Sequence, residues 1–397
     1  MPRALVVRVL AVFATSRAVC LVALAMHAHR AGSPLGRAVG SFDGFWYGLV
    51  SAHGYPSVLP LDRHGLVSRN PTAFFPAFPL LTRPLTSAGM PFWGAALVVN
   101  TLAGAAAALC IAAITRRYYV GRAERSGVAK WDGGAEPASR ADRADRAALV
   151  TAALWCTLPA AYVLSMAYSE AVFTAFAAGC LLAISAERWL WAGVLAALAG
   201  ATRPTGVILA AVCLVAAVAA AWRRRSVVPL VAPLLAPLGT AGYLGYLWLR
   251  LGRTDAWFIT EREGWHTYTD FGAANARRAG RTLAAVRDHI ATARRPAELY
   301  VIVVAAVTVL LLLALLWDRP PVHLLAYAGA VVALTLATRN VYSSVPRMLL
   351  PAFPVLIPLG GRLARLWWPV SALVVLVALA GSGFAAYVAL RDPGFGP

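Results

Sequence analysis

Apolar runs of close to 20 residues recur from one end of this 397-residue chain to the other. Each is long enough to cross a hydrocarbon layer about 30 Å thick as a helix rising about 1.5 Å per residue. Lipid offers no partner to unpaired backbone groups, so spanning segments must satisfy their own hydrogen bonds, and runs of this length do so as α-helices. Apolar residues make up 60% of the chain and charged ones 13%, which leaves too little polar surface for a water-soluble fold. The expected fold class is an all-α polytopic membrane protein, organised as one unit over residues 1–397.

Eleven spans are expected, at residues 4–28, 92–115, 147–167, 170–186, 189–202, 205–222, 227–249, 297–317, 322–338, 347–361 and 368–390. Arg3 and Arg8 before the first run resemble the start of a secretion signal. Arg17 interrupts that run, however, and it continues to about Met26, so an uncleaved first helix is expected. The stretch 116–146, rich in arginine interleaved with acids and glycine, reads as a disordered cytoplasmic loop. Placing it inside puts the N-terminus, Arg188, Arg223 to Arg225, Arg319, Arg362 and Arg365 inside as well, as the positive-inside rule requires. The first loop, 29–91, the loop 250–296, Tyr168 to Glu170, Thr202 to Pro204 and Arg339 to Arg347 then emerge on the extracytoplasmic face. The loop 250–296 carries nine arginines against that rule, but it also carries five acids and is long enough to weaken it.

The formal charge of +19 arises from these loop and helix-end arginines, so nucleic acid is not an expected partner. A single lysine, Lys130, among 36 basic residues, together with abundant alanine, is the bias of a high-GC bacterial genome, which makes the plasma (inner) membrane the expected location. The five cysteines fall inside apolar runs without metal-ligand spacing and read as small core residues. His53, His266 and His289 show no ligand spacing either.

Charges in so apolar a chain are informative, because placing one within the membrane costs about 2.5–3.5 kcal/mol on insertion scales. The topology gathers Asp43, Glu170, Arg203 and Arg347 on the extracytoplasmic face, beside the aromatic segments Phe42-Asp43-Gly44-Phe45-Trp46-Tyr47 and Phe74-Phe75-Pro76-Ala77-Phe78-Pro79. Phe42, Phe45, Trp46, Leu49 and Val50 recur at helical spacing, as expected of an interfacial helix with one face in the lipid boundary. A carboxylate at that rim can take a proton from a hydroxyl; it can equally cap the helix that follows. Ser169 and Glu170 suit either a helix start or a site. Arg203 and Arg347 suit phosphate oxygens or interfacial anchoring, and Arg17, in mid-span, needs a partner or a wet cavity. The prolines keep 74–79 from forming a regular helix, and irregular backbone at this depth is tolerated where it lines a cavity.

With these pieces assembled, the chain resembles the PIG-V family, the second mannosyltransferase of GPI-anchor synthesis, and its bacterial relatives. The resemblance rests on five ordered motifs. They are Phe42 to Tyr47 with His53-Gly54-Tyr55-Pro56; Ala73 to Pro79; Tyr168-Ser169-Glu170-Ala171-Val172-Phe173; Ala201 to Gly206; and Arg347-Met348-Leu349-Leu350-Pro351-Ala352-Phe353-Pro354. The chain departs from the family pattern at Phe42 (more often Trp), at Pro204 after Arg203 (usually Ser or Asn) and at Glu261, where Gln is expected.

The resemblance implies a GT-C-type glycosyltransferase fold with interfacial helices in the first extracytoplasmic loop. It implies a polyprenyl-phosphate mannose donor and a glycan, lipid or protein acceptor, joined by inverting transfer. Asp43 is then the expected base and Glu170 a second catalytic residue that orients the acceptor or an arginine. Arg203, Arg347 and Arg17 are the expected donor-phosphate ligands. Trp46, Tyr47, His53, Tyr55, Phe75, Tyr168, Ser169 and Trp265 are the expected substrate-binding residues. No cofactor is expected beyond the lipid-linked donor, and with no Asp-x-Asp pair no metal is expected either. The alternative is a transporter or flippase of a lipid-linked sugar, which calls for matching halves and helices broken at corresponding positions. Neither is visible in the sequence.

Overall fold

The computed structural model describes residues 1–125, 137–288, 295–339 and 341–388. Lys130 and His289, and residues 126–136 of the expected cytoplasmic loop, lie outside the described residues. The chain opens with a long helix, α1 (Arg3–Arg30), followed by three short ones, α2 (Leu35–Val39), α3 (Asp43–His53) and α4 (Ala77–Ser87). Then come α5 (Phe92–Arg125), α6 (Pro137–Thr157), α7 (Glu170–Ser185), α8 (Trp189–Gly200), α9 (Val207–Arg224), α10 (Val231–Leu235) and α11 (Leu238–Leu251). The loop after α11 holds α12 (Ala256–Ile259) and α13 (Ala273–Arg287). The chain continues with α14 (Arg295–Trp317), α15 (Val322–Ala337), α16 (Val345–Met348), α17 (Ile357–Leu363) and α18 (Trp368–Val388). Among the described residues there is no strand, only the isolated bridges Leu61 to Val67 and Thr269 to Thr338.

Among the described residues, six helical stretches are long and apolar enough to cross a membrane, a seventh is a bent pair, and four shorter apolar helices accompany them. These correspond to the eleven expected spans. Three of the expected spans are not continuous helices: 227–249 divides at Pro237 into α10 and α11, and two others break more sharply. α6 ends at Thr157, Pro159 follows, and the 3-10 stretch Pro159–Ser165 leaves at 76°. The span at 347–361 is α16, a 3-10 stretch over Leu350–Leu356 kinked at Ala352, and α17, punctuated by Pro346, Pro351, Pro354 and Pro358. Proline removes a backbone donor and its ring crowds the preceding turn, which is why both helices break. The stretch expected as a disordered loop is helical at both of its described ends. α5 runs on to Arg125 and α6 starts at Pro137, with Arg116 paired to Asp145 at 2.6 Å.

The breaks matter because they free backbone carbonyls inside the bundle. Those of Cys156 and Ala161 accept from the Arg17 guanidinium at 2.7 and 2.5 Å, and the Ser165 hydroxyl accepts at 3.2 Å. The core around them is closed by large buried rings, among them Trp155, Tyr168, Phe173, Tyr327 and Phe353. Cys20, Cys156, Cys180 and Cys213 are buried in it as free thiols. The two ends of the bundle differ. At one, Asp318 meets Arg122 and Arg362, and Arg224 meets Glu187. At the other, here termed the loop end, α2 to α4 pack against the segment 253–271 and the start of α7.

Candidate active site

Four charged side chains from four separate stretches meet at the loop end. The first is set by a corner in the backbone: Phe42 has φ +54° and ψ −117°, a conformation that side-chain-bearing residues rarely adopt and that clusters at functional sites. α3 begins directly after it, with Asp43 as its first residue. Asp43 does not cap the helix; its Oδ2 lies 2.9 Å from Nη2 of Arg347. The corner is locked in place, since a Cβ on Gly44 would lie 3.1 Å from that of Ala167, and the Ala167 N–H donates to the Val39 carbonyl at 2.9 Å.

The second and third come from the turn before α7 and from the α8–α9 connection. Ser169 stands at the N-cap position of α7 without capping it. Its Oγ instead accepts from the Tyr47 hydroxyl at 2.8 Å and from Arg203 at 3.3 Å. Glu170 is wholly buried, and its Oε1 takes both Arg203 and Arg347, each at 2.6 Å. Pro204 holds Arg203 extended, at φ −152° and ψ 150°, as a residue before proline prefers. The departure at Pro204 thus leaves the guanidinium in the site.

Arg347, on α16, is the fourth; it is 6% exposed and lies over the Tyr168 ring at 5.1 Å. Asn100, which the sequence did not single out, is fully buried and donates to the carbonyls of Met166 and Tyr168 at 2.7 and 2.9 Å, fixing the turn that carries Ser169 and Glu170. A neutral amide within an apolar run leaves almost no signal in a sequence.

Asp43, Arg347, Glu170 and Arg203 therefore form an alternating chain of charges. Buried charges persist only when paired in this way. The Glu170 side chain is 0% exposed and that of Asp43 22%, so Asp43 is the carboxylate of the two that a ligand can reach. Burial pushes the Asp43 carboxyl above the usual carboxylate range, against the pull of Arg347. Buried polar atoms remain unpartnered among the described residues at Glu170 Oε2, Arg347 Nε and the Tyr168 hydroxyl.

An aromatic wall stands beside Asp43. Trp46, one turn further along α3, lies 5.3 Å from Trp265 and 6.2 Å from Phe74, and Tyr47 lies 5.0 Å from Phe74. The irregular backbone 70–74 is held by ring donors. The carbonyls of Thr72 and Phe74 accept from the hydroxyls of Tyr243 and Tyr55 at 2.7 and 2.6 Å, and those of Asn70 and Ala73 from the indole N–H groups of Trp265 and Trp257, both at 3.4 Å. The apolar face expected on α3 is divided: Gly44, Tyr47 and Val50 are buried, while Phe42 and Phe45 face outward, 38% and 56% exposed.

Of the expected substrate-binding residues, Trp46, Tyr47, Tyr168, Ser169 and Trp265 gather at the cluster. His53 is exposed at the far end of α3, a helix of about 16 Å. Tyr55 and Phe75 are buried together against Tyr243, behind the 70–74 segment. Arg17 makes its contacts at the break after α6 and has no carboxylate partner among the described residues. Beyond α3, a cleft of about 430 Å³ opens between α3, α4 and α11, lined by Val50, Leu80, Gly242 and Tyr246, with Arg83 at its edge.

The constellation offers one reachable carboxylate fixed by an arginine, two arginines oriented by a buried acid, and a ring wall at its side. That is equipment for taking a proton from a hydroxyl next to a bound anion. No family model matches the sequence, and no curated protein sequence matches it. Among solved structures, the fold is similar to that of ArnT from Cupriavidus metallidurans bound to undecaprenyl phosphate, with a TM-score of 0.50 at 16% identity. The match covers 96% of this chain and 64% of that one. The chain spans less than two-thirds of that protein's length and shares its fold, as an all-helical polytopic membrane protein.

Proposed function

We propose that this chain is an inverting membrane glycosyltransferase that moves a hexosyl group, mannosyl by its resemblance to the PIG-V family, from a polyprenyl phosphate to an acceptor hydroxyl on the extracytoplasmic face of the plasma membrane. The observation that carries this reading is the partly exposed Asp43 carboxylate held by Arg347 at 2.9 Å, on a fold similar to that of ArnT. In the transfer, the acceptor oxygen attacks the anomeric carbon opposite the phosphate while its proton passes to Asp43. The bond from carbon to phosphate oxygen breaks, and the polyprenyl phosphate leaves with the electron pair. Such a leaving group needs no general acid, so a single base suffices.

Arg203 and Arg347 hold the phosphate and the charge that develops on it. Glu170, bound to both at 2.6 Å, is in this reading the residue that aims the two guanidinium groups. Trp46, Tyr47 and Trp265 are the surface for the sugar ring. The cleft beside α4 and α11 suits the isoprenoid chain, because its lining is mainly apolar. The acceptor is a glycan, lipid or protein. The positive charge comes from arginines, so no metal is invoked.

The test is transfer from labelled polyprenyl-phosphate mannose in membranes containing the chain, with Asp43→Asn as control and EDTA present throughout. Labelled product is expected with the native chain and none with Asp43→Asn. Near-native transfer by that variant would remove Asp43 as the base, and transfer that requires added metal would remove the metal-free reading.

A further inference from the structure

The segment after α12 makes one turn of wider π-helix, Thr260–Gly264, a distortion that frequently marks functional positions. The turn lies flush against residues 67–70. Glu263 accepts from the Val67 N–H at 2.8 Å, and a Cβ on Gly264 would stand 2.8 Å from the Ser68 carbonyl oxygen. Glu261 is partly buried on this turn, four residues and so about one helical turn before Trp265, whose ring stands edge-on to Trp46, itself one turn from Asp43.

The other described acids of these loops are all engaged. Asp62 and Asp270 accept from backbone N–H groups, Asp255 and Asp288 pair with Arg253 and Arg287, Glu263 takes Val67, and Asp43 takes Arg347. The Glu261 carboxyl has no hydrogen bond or ion pair among the described residues; only its backbone carbonyl is used, by the Thr267 N–H. The charged groups around it do not compensate it. Asp43 acts on it from α3 as a like charge, Arg69 is drawn over the Trp265 ring at 5.3 Å, and Arg262 and Glu263 flank it on its own turn. Burial, with the like charge of Asp43 acting on it, pushes its pKa up to about 8.

Resting on the glycosyl-transfer reading, we infer that Glu261 is a substrate-positioning residue that works in its neutral form. Its O–H donates to, and its C=O accepts from, hydroxyl groups of the sugar or acceptor held against the Trp46–Trp265 wall beside Asp43. A neutral carboxyl offers both functions, whereas an ionised one only accepts. Ionisation would also set a second negative charge next to the base and the donor phosphate.

The experiment is kcat/KM for hexosyl transfer across pH in the native chain, Glu261→Gln and Glu261→Ala, with carboxyl infrared titration of the first two. The native activity is expected to fall about ten-fold between pH 7 and pH 9, following the neutral fraction of a group titrating at about 8. Glu261→Gln, permanently neutral and of the same shape, should match the native chain at pH 7 and lack the alkaline fall. Glu261→Ala should be about five- to ten-fold slower throughout, the size of one lost hydrogen bond. The infrared band of a protonated carboxyl should disappear near pH 8 in the native chain and be absent from Glu261→Gln. An alkaline fall retained in Glu261→Gln, or an unchanged infrared titration, overturns the role of Glu261 and leaves transfer standing. Transfer that survives Asp43→Asn overturns the base and not Glu261.

Discussion

The two terminal nitrogens of Arg347 have separate tasks, which makes Arg347→Lys a discriminating change. Nη2 contacts Asp43 at 2.9 Å and Nη1 contacts Glu170 at 2.6 Å. Lysine brings the same charge as a single nitrogen on a flexible stem, so the variant keeps the buried charge balance and gives up one of the two contacts. A charge-assisted hydrogen bond contributes about 1.5–3 kcal/mol, which corresponds to about 10- to 150-fold in rate at about 1.4 kcal/mol per factor of ten. The thermal midpoint of Arg347→Lys is expected to fall by less than that of Arg347→Met, since the buried charge is kept. Arg347→Met leaves Asp43 without a cation and Glu170 with Arg203 alone; removing one member of a buried pair costs about 3–5 kcal/mol, so that variant should unfold at lower temperature. The assay is kcat and donor KM measured separately on protein in lipid nanodiscs. Loss in kcat at steady KM means that Arg347 acts on charge developing in the transition state, and a raised KM means that it holds the ground-state donor. Arg347→Lys within about two-fold of native on both parameters would refute the bridging role.

Asn100→Ala strands the carbonyls of Met166 and Tyr168 at about 1–3 kcal/mol for each unsatisfied group; it should lower thermal stability and transfer together, and full activity would show that the turn needs no such support. Asp43 must be ionised to accept a proton and burial raises its pKa, so activity should rise with pH through a limb above the usual carboxylate range, near pH 4; a rate already level at pH 4 would contradict this. In a background without the native cysteines, Val58→Cys, at a position 75% exposed, should label only from outside the cell and Arg319→Cys only from within. Labelling of both from one side would break the topology.

Much of this arrangement was legible in the sequence because a membrane makes two things expensive. Unpaired backbone is one, which is why apolar runs announced eleven helical stretches. Charge is the other, which is why Asp43, Glu170, Arg203 and Arg347 stood out before their contacts were known. What escaped falls outside those two costs. The breaks at Pro159 and around Pro351 leave hydropathy unchanged, so spans 147–167 and 347–361 read as continuous. Asn100 and Tyr243 act through neutral donors, which cost little in an apolar run. His53, Tyr55 and Phe75 join Asp43 through the motifs of the family resemblance, and motifs carry no distances: the length of α3 sets His53 apart, and Tyr55 and Phe75 pack against Tyr243. Arg17, in mid-span, calls for a partner, and its partners are the Ser165 hydroxyl and two carbonyls freed where α6 breaks.

That last contact has a consequence for the order in which the chain is made. The groups that receive the Arg17 guanidinium lie 139 and 144 residues further along. At about 5–20 residues per second of synthesis, α1 waits roughly 7–30 s with an unsatisfied cation at mid-span. Its first residence in the bilayer is provisional, and arrival of the broken helix secures it. A nascent chain stalled before residue 156 should hold α1 less firmly against extraction than one stalled well after residue 165.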